Sequence, residues 1–213
     1  MASNIISATV AIKGIRPLWQ HWFGPDAIPL EKGERTGVAG NDPEEWRRTC
    51  LVSKDGQLYI EATYVFGCLA GKDGGAKYIR KQRGSILSAT AATLQVLDDR
   101  ILLDRWFAGF PNGHTFNVAT ATAPDRDPSL PVYLDVRSVV NPTTKGRNVR
   151  YRVAASSSWQ ASFTLQFDRT VVSRGEMESA LIQAGALVGI GSGRKVGMGR
   201  FAVESFTVTE TNA

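Results

Sequence analysis

The stretch Ser173-Arg-Gly-Glu-Met-Glu-Ser-Ala-Leu-Ile-Gln-Ala-Gly-Ala-Leu-Val-Gly189-Ile-Gly-Ser-Gly-Arg-Lys-Val-Gly-Met-Gly-Arg-Phe201 joins a helix to a strand through a loop of unusual composition. Ser173 followed three residues on by Glu176 is a capping box, and Met177, Ala180, Leu181, Ala184 and Leu187 recur at helical spacing. Phe201, Val203, Phe206 and Val208 then mark a final strand. Between them lie Gly189, Gly191, Gly193, Gly197 and Gly199 with Arg194, Lys195 and Arg200, five glycines and three cations in twelve residues. Glycine admits positive φ and close backbone approach, so such a loop presents amide N–H groups and fixed charge to a phosphate. It is not a Walker A loop, since no Gly-Lys-Ser/Thr closes it. It is not a dinucleotide turn, since it precedes a strand rather than opening a helix. The competing reading is a glycine-rich turn with incidental charge.

Outward from this segment, residues 5–14 are β-branched and partly alternating, which predicts a first strand. Pro17 and Gly24-Pro25 break regular structure. Asn41-Asp42-Pro43-Glu44-Glu45 predicts a helix start, with a capping residue, Pro at the first position and acids at the positive dipole end. Asp55-Gly56 is a tight-turn signal before a short strand at 57–60, and a helix is expected over 61–69. Gly71, Gly74 and Gly75 interrupt its continuation, which carries Lys77, Tyr78, Arg80, Lys81 and Arg83.

Residues 94–103 suit a strand or buried extended segment, and 105–131, rich in Gly, Pro, Asn and Asp, is expected to form an excursion rather than core. Residues 132–140 and 147–154 read as strands, the latter with Val149, Tyr151 and Val153 on one face and Arg150 and Arg152 on the other, as in a half-exposed sheet. Trp159, Ala161, Phe163, Leu165 and Phe167 share a face, and 147–154 with 159–167 read as a hairpin. With the excursions removed, the order is β-α-β-β-α-β. That order predicts an α+β protein with a ferredoxin-like, RRM-like core, a four-stranded antiparallel sheet with two helices on one face. The expected organisation is a single domain over 1–213 with insertions at roughly 17–56 and 84–146.

With 213 residues and 43% hydrophobic content the chain can fill a core. Lys and Arg exceed Asp and Glu by 25 to 20, a net charge of +5, and the isoelectric point near 9.4 favours an anionic partner. Cys50 and Cys68 have no metal spacing, and with no secretory signal at the start a reducing, cytoplasmic setting is expected. No apolar run reaches about 18 residues, so no membrane partner is expected.

The helix, the loop G-x-G-x-G-R-K-x-G-x-G-R-F and the last strand together resemble the repeat-associated mysterious proteins (RAMPs) of CRISPR systems. Gln57-Leu-Tyr-Ile60-Glu-Ala-Thr-Tyr-Val-Phe-Gly67-Cys-Leu69 is similar to the family's strand-to-helix segment, with Glu61-Ala62 where Pro-Gly is usual and Phe66 where Lys is usual. Size and long insertions most resemble the backbone subunit of effector complexes, in which excursions form a thumb and fingers. The resemblance implies a protein that polymerises along guide RNA, meets complementary target nucleic acid and binds other CRISPR effector subunits.

Three cation clusters suit sequence-independent phosphate contact. They are Arg194, Lys195 and Arg200 in the terminal loop; Lys145, Arg147, Arg150 and Arg152; and Lys77, Arg80 and Lys81. No catalytic, metal or cofactor site is expected. His21 and His114 are the only histidines, in separate irregular segments and without an identifiable acid/base partner. RAMP nucleases place a histidine near the N-terminus, so His21 is the candidate for a guide-processing endoribonuclease. Asp26 and Asp42 are candidates for the acidic loop residue with which some backbone subunits cut target RNA, against their plainer roles in a turn and a helix cap. A phage single-stranded DNA-binding or annealing protein is a further alternative. Trp19, Trp22, Trp46, Trp106 and Phe110 are candidates for base stacking, with core as the competing role.

Overall fold

A computed structural model describes residues 4–24, 41–81, 84–140 and 145–209. Its elements run β1 (Ile5–Gly14), β2 (Leu18–Trp19), α1 (Glu45–Thr49), β3 (Gln57–Glu61), α2 (Ala62–Ala70), β4 (Arg80–Lys81), β5 (Gly84–Ser85), α3 (Leu87–Thr93), β6 (Gln95–Val96), β7 (Arg100–Trp106), β8 (Val132–Val140), β9 (Arg147–Ala155), β10 (Gln160–Asp168), α4 (Arg174–Gln183) and β11 (Phe201–Thr209). A 3-10 turn at Gly75–Tyr78 follows α2, and a π-helical turn at Ala184–Val188 extends α4. Helices combine with antiparallel sheets, so the protein is α+β. Asp26, Arg83 and residues 141–144 lie outside the described residues, as does the side chain of Lys81.

The chain divides into two compact units. The first comprises Met1–Leu18, Tyr59–Asp104 and Ser157–Ala213. Its sheet has the order β11-β1-β10-β7-β3, with β6 also paired to β10. β1 alternates as its sequence demands, burying Ile6, Ala8, Val10 and Ile12, and β10 buries Ala161, Phe163, Leu165 and Phe167. Val65, Cys68 and Leu69 of α2 and Met177, Ala180 and Leu181 of α4 are buried in the same unit. Truncating one of these large side chains, as in Phe163→Ala, costs about 3–5 kcal/mol. The capping box is present: Ser173 Oγ accepts from the Glu176 amide at 3.4 Å, and Glu176 Oε2 accepts from the Ser173 amide at 2.8 Å.

The second unit comprises Trp19–Leu58 and Arg105–Ser156. Its sheet has the order β2-β9-β8. Residues 105–131 are irregular, yet they supply core: Phe107 and Phe116 are buried with ring centroids 4.6 Å apart, and Trp46 lies 6.0 Å from Phe107. The expectation of an excursion without core is corrected here. Apolar rings spaced through a loop bury themselves even without regular backbone.

Two other expectations fail. Strands β9 and β10 do not form a hairpin; β9 pairs with β8 along its length, Val132 opposite Ala155, and β10 pairs with β1, Ile5 opposite Asp168. Residues 147–154 are therefore not the second strand of the main sheet, and β7, from the segment 94–103, is the strand that follows β10 there. Alternation reports which face a side chain takes, not which strand lies alongside. β9 is also not half-exposed: from Tyr151 onward both faces are buried. Helix α1 begins at Glu45, because Asp42 Oδ1 accepts from the Glu44 amide at 3.1 Å and forms a turn instead of a cap.

Candidate nucleic-acid interface

The loop from Gly189 to Arg200 takes its shape from its glycines. Gly189, Gly191, Gly193, Gly197 and Gly199 all have positive φ, between 69° and 84°. A Cβ on Gly199 would stand 1.7 Å from Ile190 O, and one on Gly189 2.7 Å from Met198 O, so both stem positions exclude a side chain on contact as well as on backbone grounds. Ile190 N donates to Gly199 O at 2.9 Å and Gly199 N to Pro17 O at 2.8 Å, closing the stem against the chain beyond β1. At the tip, Val196 N and Met198 N both donate to Gly193 O, at 3.0 and 3.2 Å, and Gly197 N to Arg194 O at 3.0 Å.

The amides of Gly189, Ile190 and residues 196–199 are thus spent inside the protein. A cradle built from those amides, as the glycine pattern suggested, is not what the backbone offers. Charge is what it offers. Arg194 and Lys195 are exposed at the tip. Arg200 is half-buried, and its Nη1 is buried without a hydrogen-bond partner among the described residues. A guanidinium N–H in that state favours an added acceptor, because an unpaired buried donor costs about 1–3 kcal/mol.

The basic cluster after α2 belongs to the same unit as this loop. Lys77 Nζ pairs with Asp73 Oδ1 at 2.8 Å. That hydrogen bond, the charge of Lys77 and the nearby charges of Lys72 and Lys195 hold the Asp73 carboxyl below its usual range. Asp73 therefore marks where the loop after α2 and the tip of the glycine loop come within electrostatic reach. Lys77 and Arg80 are exposed; Lys81 shares the short strand β4 with Arg80. Cys68 of the same unit is buried, donating from Sγ to Ala184 O at 3.8 Å. Burial pushes its thiol up to about 12 despite the charges of Arg194 and Arg200, so it is no nucleophile.

The third cluster belongs to the second unit, and its members divide. Lys145 and Arg147 are exposed. Arg150 is an ion-pair partner of Glu45, whose carboxylate also accepts from His21 Nε2 at 3.2 Å and from the Tyr151 amide at 3.0 Å. Burial alone would raise the Glu45 pKa. The His21 hydrogen bond, the Tyr151 amide and Arg150 outweigh it and hold the group at about 2. Arg152 is only 8% exposed, with its guanidinium 5.4 Å from the Trp19 ring centroid, while Arg137, paired to the buried Asp135 at 2.7 Å, lies 4.7 Å from the same ring. Arg150 and Arg152 thus hold their own unit together.

His21 accordingly has the acidic partner that sequence reasoning missed, since Glu45 read only as a dipole-end acid. His114 is exposed, and its amide donates to Asn112 Oδ1 at 3.0 Å. Asp42 pairs with Arg48. Trp19 and Trp46 are buried, while Trp22, Trp106 and Phe110 are half-buried. Among the described residues no cluster of three metal-ligating side chains occurs, and no helix is long and apolar enough to cross a membrane.

No family model and no curated protein matches this chain. Chains of two CRISPR complexes are similar to it. One belongs to the Type III-B Cmr-beta complex bound to cognate target RNA, at 14% identity and a TM-score of 0.46, over 97% of this chain and 61% of that one. The other belongs to a Type IV-B CRISPR complex, at 15% identity and a TM-score of 0.42, over 97% of this chain and 92% of that one. The chain spans about three fifths of the Cmr-beta chain's length.

Proposed function

We propose that this protein is a CRISPR-associated RNA-binding backbone subunit that coats a guide RNA through sequence-independent phosphate contacts. In this reading it assembles head to tail with copies of itself, works beside other effector subunits and leaves the guide open to complementary target nucleic acid. The observation that carries it is that Arg194, Lys195 and Arg200, on a loop whose glycines fix its path, belong to the same unit as Lys77 and Arg80, with the charge of Lys195 felt at Asp73, the ion-pair partner of Lys77. Point charges on a rigid turn recognise phosphates whatever the base. The neighbourhood of β11, β1 and β10, with α2 and α4 in the same unit, supports a ferredoxin-like core, and the second unit is the counterpart of inserted thumb and finger excursions. A head-to-tail contact that does not close builds a helical filament.

The protein purified from cells is expected to carry RNA in stoichiometric amounts and to elute as a large assembly. A nucleic-acid-free monomer that ignores added single-stranded RNA contradicts the proposal. Preference for single-stranded DNA over RNA turns the reading toward an annealing protein. The His21–Glu45 pair is the one observation favouring an endoribonuclease. Repeat-RNA cleavage abolished by His21→Ala decides for it.

A further inference from the structure

We infer that Tyr78 is a base-stacking residue of the RNA-binding face, and this rests on the function proposed above. Tyr78 is 45% exposed at the end of the 3-10 turn Gly75–Tyr78, between the exposed cations Lys77 and Arg80. The candidates that sequence singled out for stacking are buried or half-buried. Half-exposed Phe66 stands in a groove with Ala62, Thr63, Gln95 and Val96, and none of these lining residues is a cation. Tyr78 is exposed on a turn that also carries Lys77 and leads into Arg80, and the charge of Lys195 in the glycine loop is felt at Asp73, just before that turn.

The turn holds the ring in place. A Cβ on Gly75 would meet Ala180 O at 2.1 Å and Ala184 N at 2.5 Å, so the turn is pressed backbone to backbone onto α4. Ala76 is fully buried, and the Ile79 carbonyl accepts from Ile86 N at 3.1 Å. With one side of the turn locked into the core, the Tyr78 ring is left at the surface among charges. An exposed phenol on a basic turn suits a nucleobase whose adjoining phosphates meet the cations of that turn. Any base supplies a π face, so the contact keeps the binding independent of sequence while preferring single strands to duplex.

The test compares a short oligouridylate with the same oligomer carrying abasic sugars, using the full chain. Wild type is expected to bind the base-bearing oligomer about five- to a hundred-fold more tightly, the range of one stacked base. Tyr78→Ala removes that preference and leaves the salt dependence unchanged, while Tyr78→Trp restores it. Lys195→Ala does the reverse, keeping the preference and making the salt dependence shallower. A folded Tyr78→Ala protein that retains the wild-type preference overturns the inference. So does a wild type that binds both oligomers equally, which leaves phosphate recognition standing. A wild type that binds neither overturns the proposed function and the stacking role with it.

Discussion

At the scale of single residues, Glu45 shows how little of a side chain's role its neighbours in sequence reveal. As an acid in the first turn of a helix it had an obvious dipole role. Its carboxylate instead collects His21, Arg150 and the Tyr151 amide from chain segments 24 and about 105 residues away. Removing the carboxylate leaves His21, Arg150 and the Tyr151 amide without their acceptor, so Glu45→Ala should cost about 2 kcal/mol in denaturant unfolding. The depressed pKa sets the sign of the pH effect. The carboxylate's contribution is complete above its ordinary pKa of 4.5 and is lost as pH falls from there through about 2. Wild type should therefore lose stability across that window more steeply than Glu45→Gln. The glycine loop gives a second residue-scale expectation. Gly199→Ala, with both a backbone clash and positive φ, should destabilise by more than about 2 kcal/mol. Gly197→Ala, facing open space, should carry only the left-handed strain of about 1–2 kcal/mol.

Among elements, those whose cause is local were legible. Residues 5–14, 132–140 and the Ser173–Glu176 box declare themselves by alternation or by two residues at fixed spacing, and the structure has β1, β8 and the cap there. Ser173→Ala should cost about 1 kcal/mol, read as a lowered unfolding midpoint with an unchanged slope. Pairing partners were not legible. β9 looked like half of a hairpin with β10 because Ala155–Ser158 is short. Its hydrogen bonds run to β8 instead, and Ser158 N donates to Gly14 O at 2.8 Å, turning the chain toward β1. Register is settled by burial of whole faces, a long-range quantity that a window of sequence does not contain. The candidate site divides in the same way: the charges and glycines of 189–200 were visible, but the consumption of the amides of 189, 190 and 196–199 by Ala184, Pro17, Gly193 and each other was not.

For the whole molecule, the proposed function requires that the glycine loop bind RNA phosphates through charge. Affinity for a single-stranded RNA, measured against salt concentration, tests it most directly. Each of Arg194→Ala, Lys195→Ala and Arg200→Ala should weaken binding whatever the RNA sequence, and should make the slope of log affinity against log salt shallower by about 0.7. The same three variants, folded and with both affinity and slope at wild-type values, would show that residues 189–200 are only a turn.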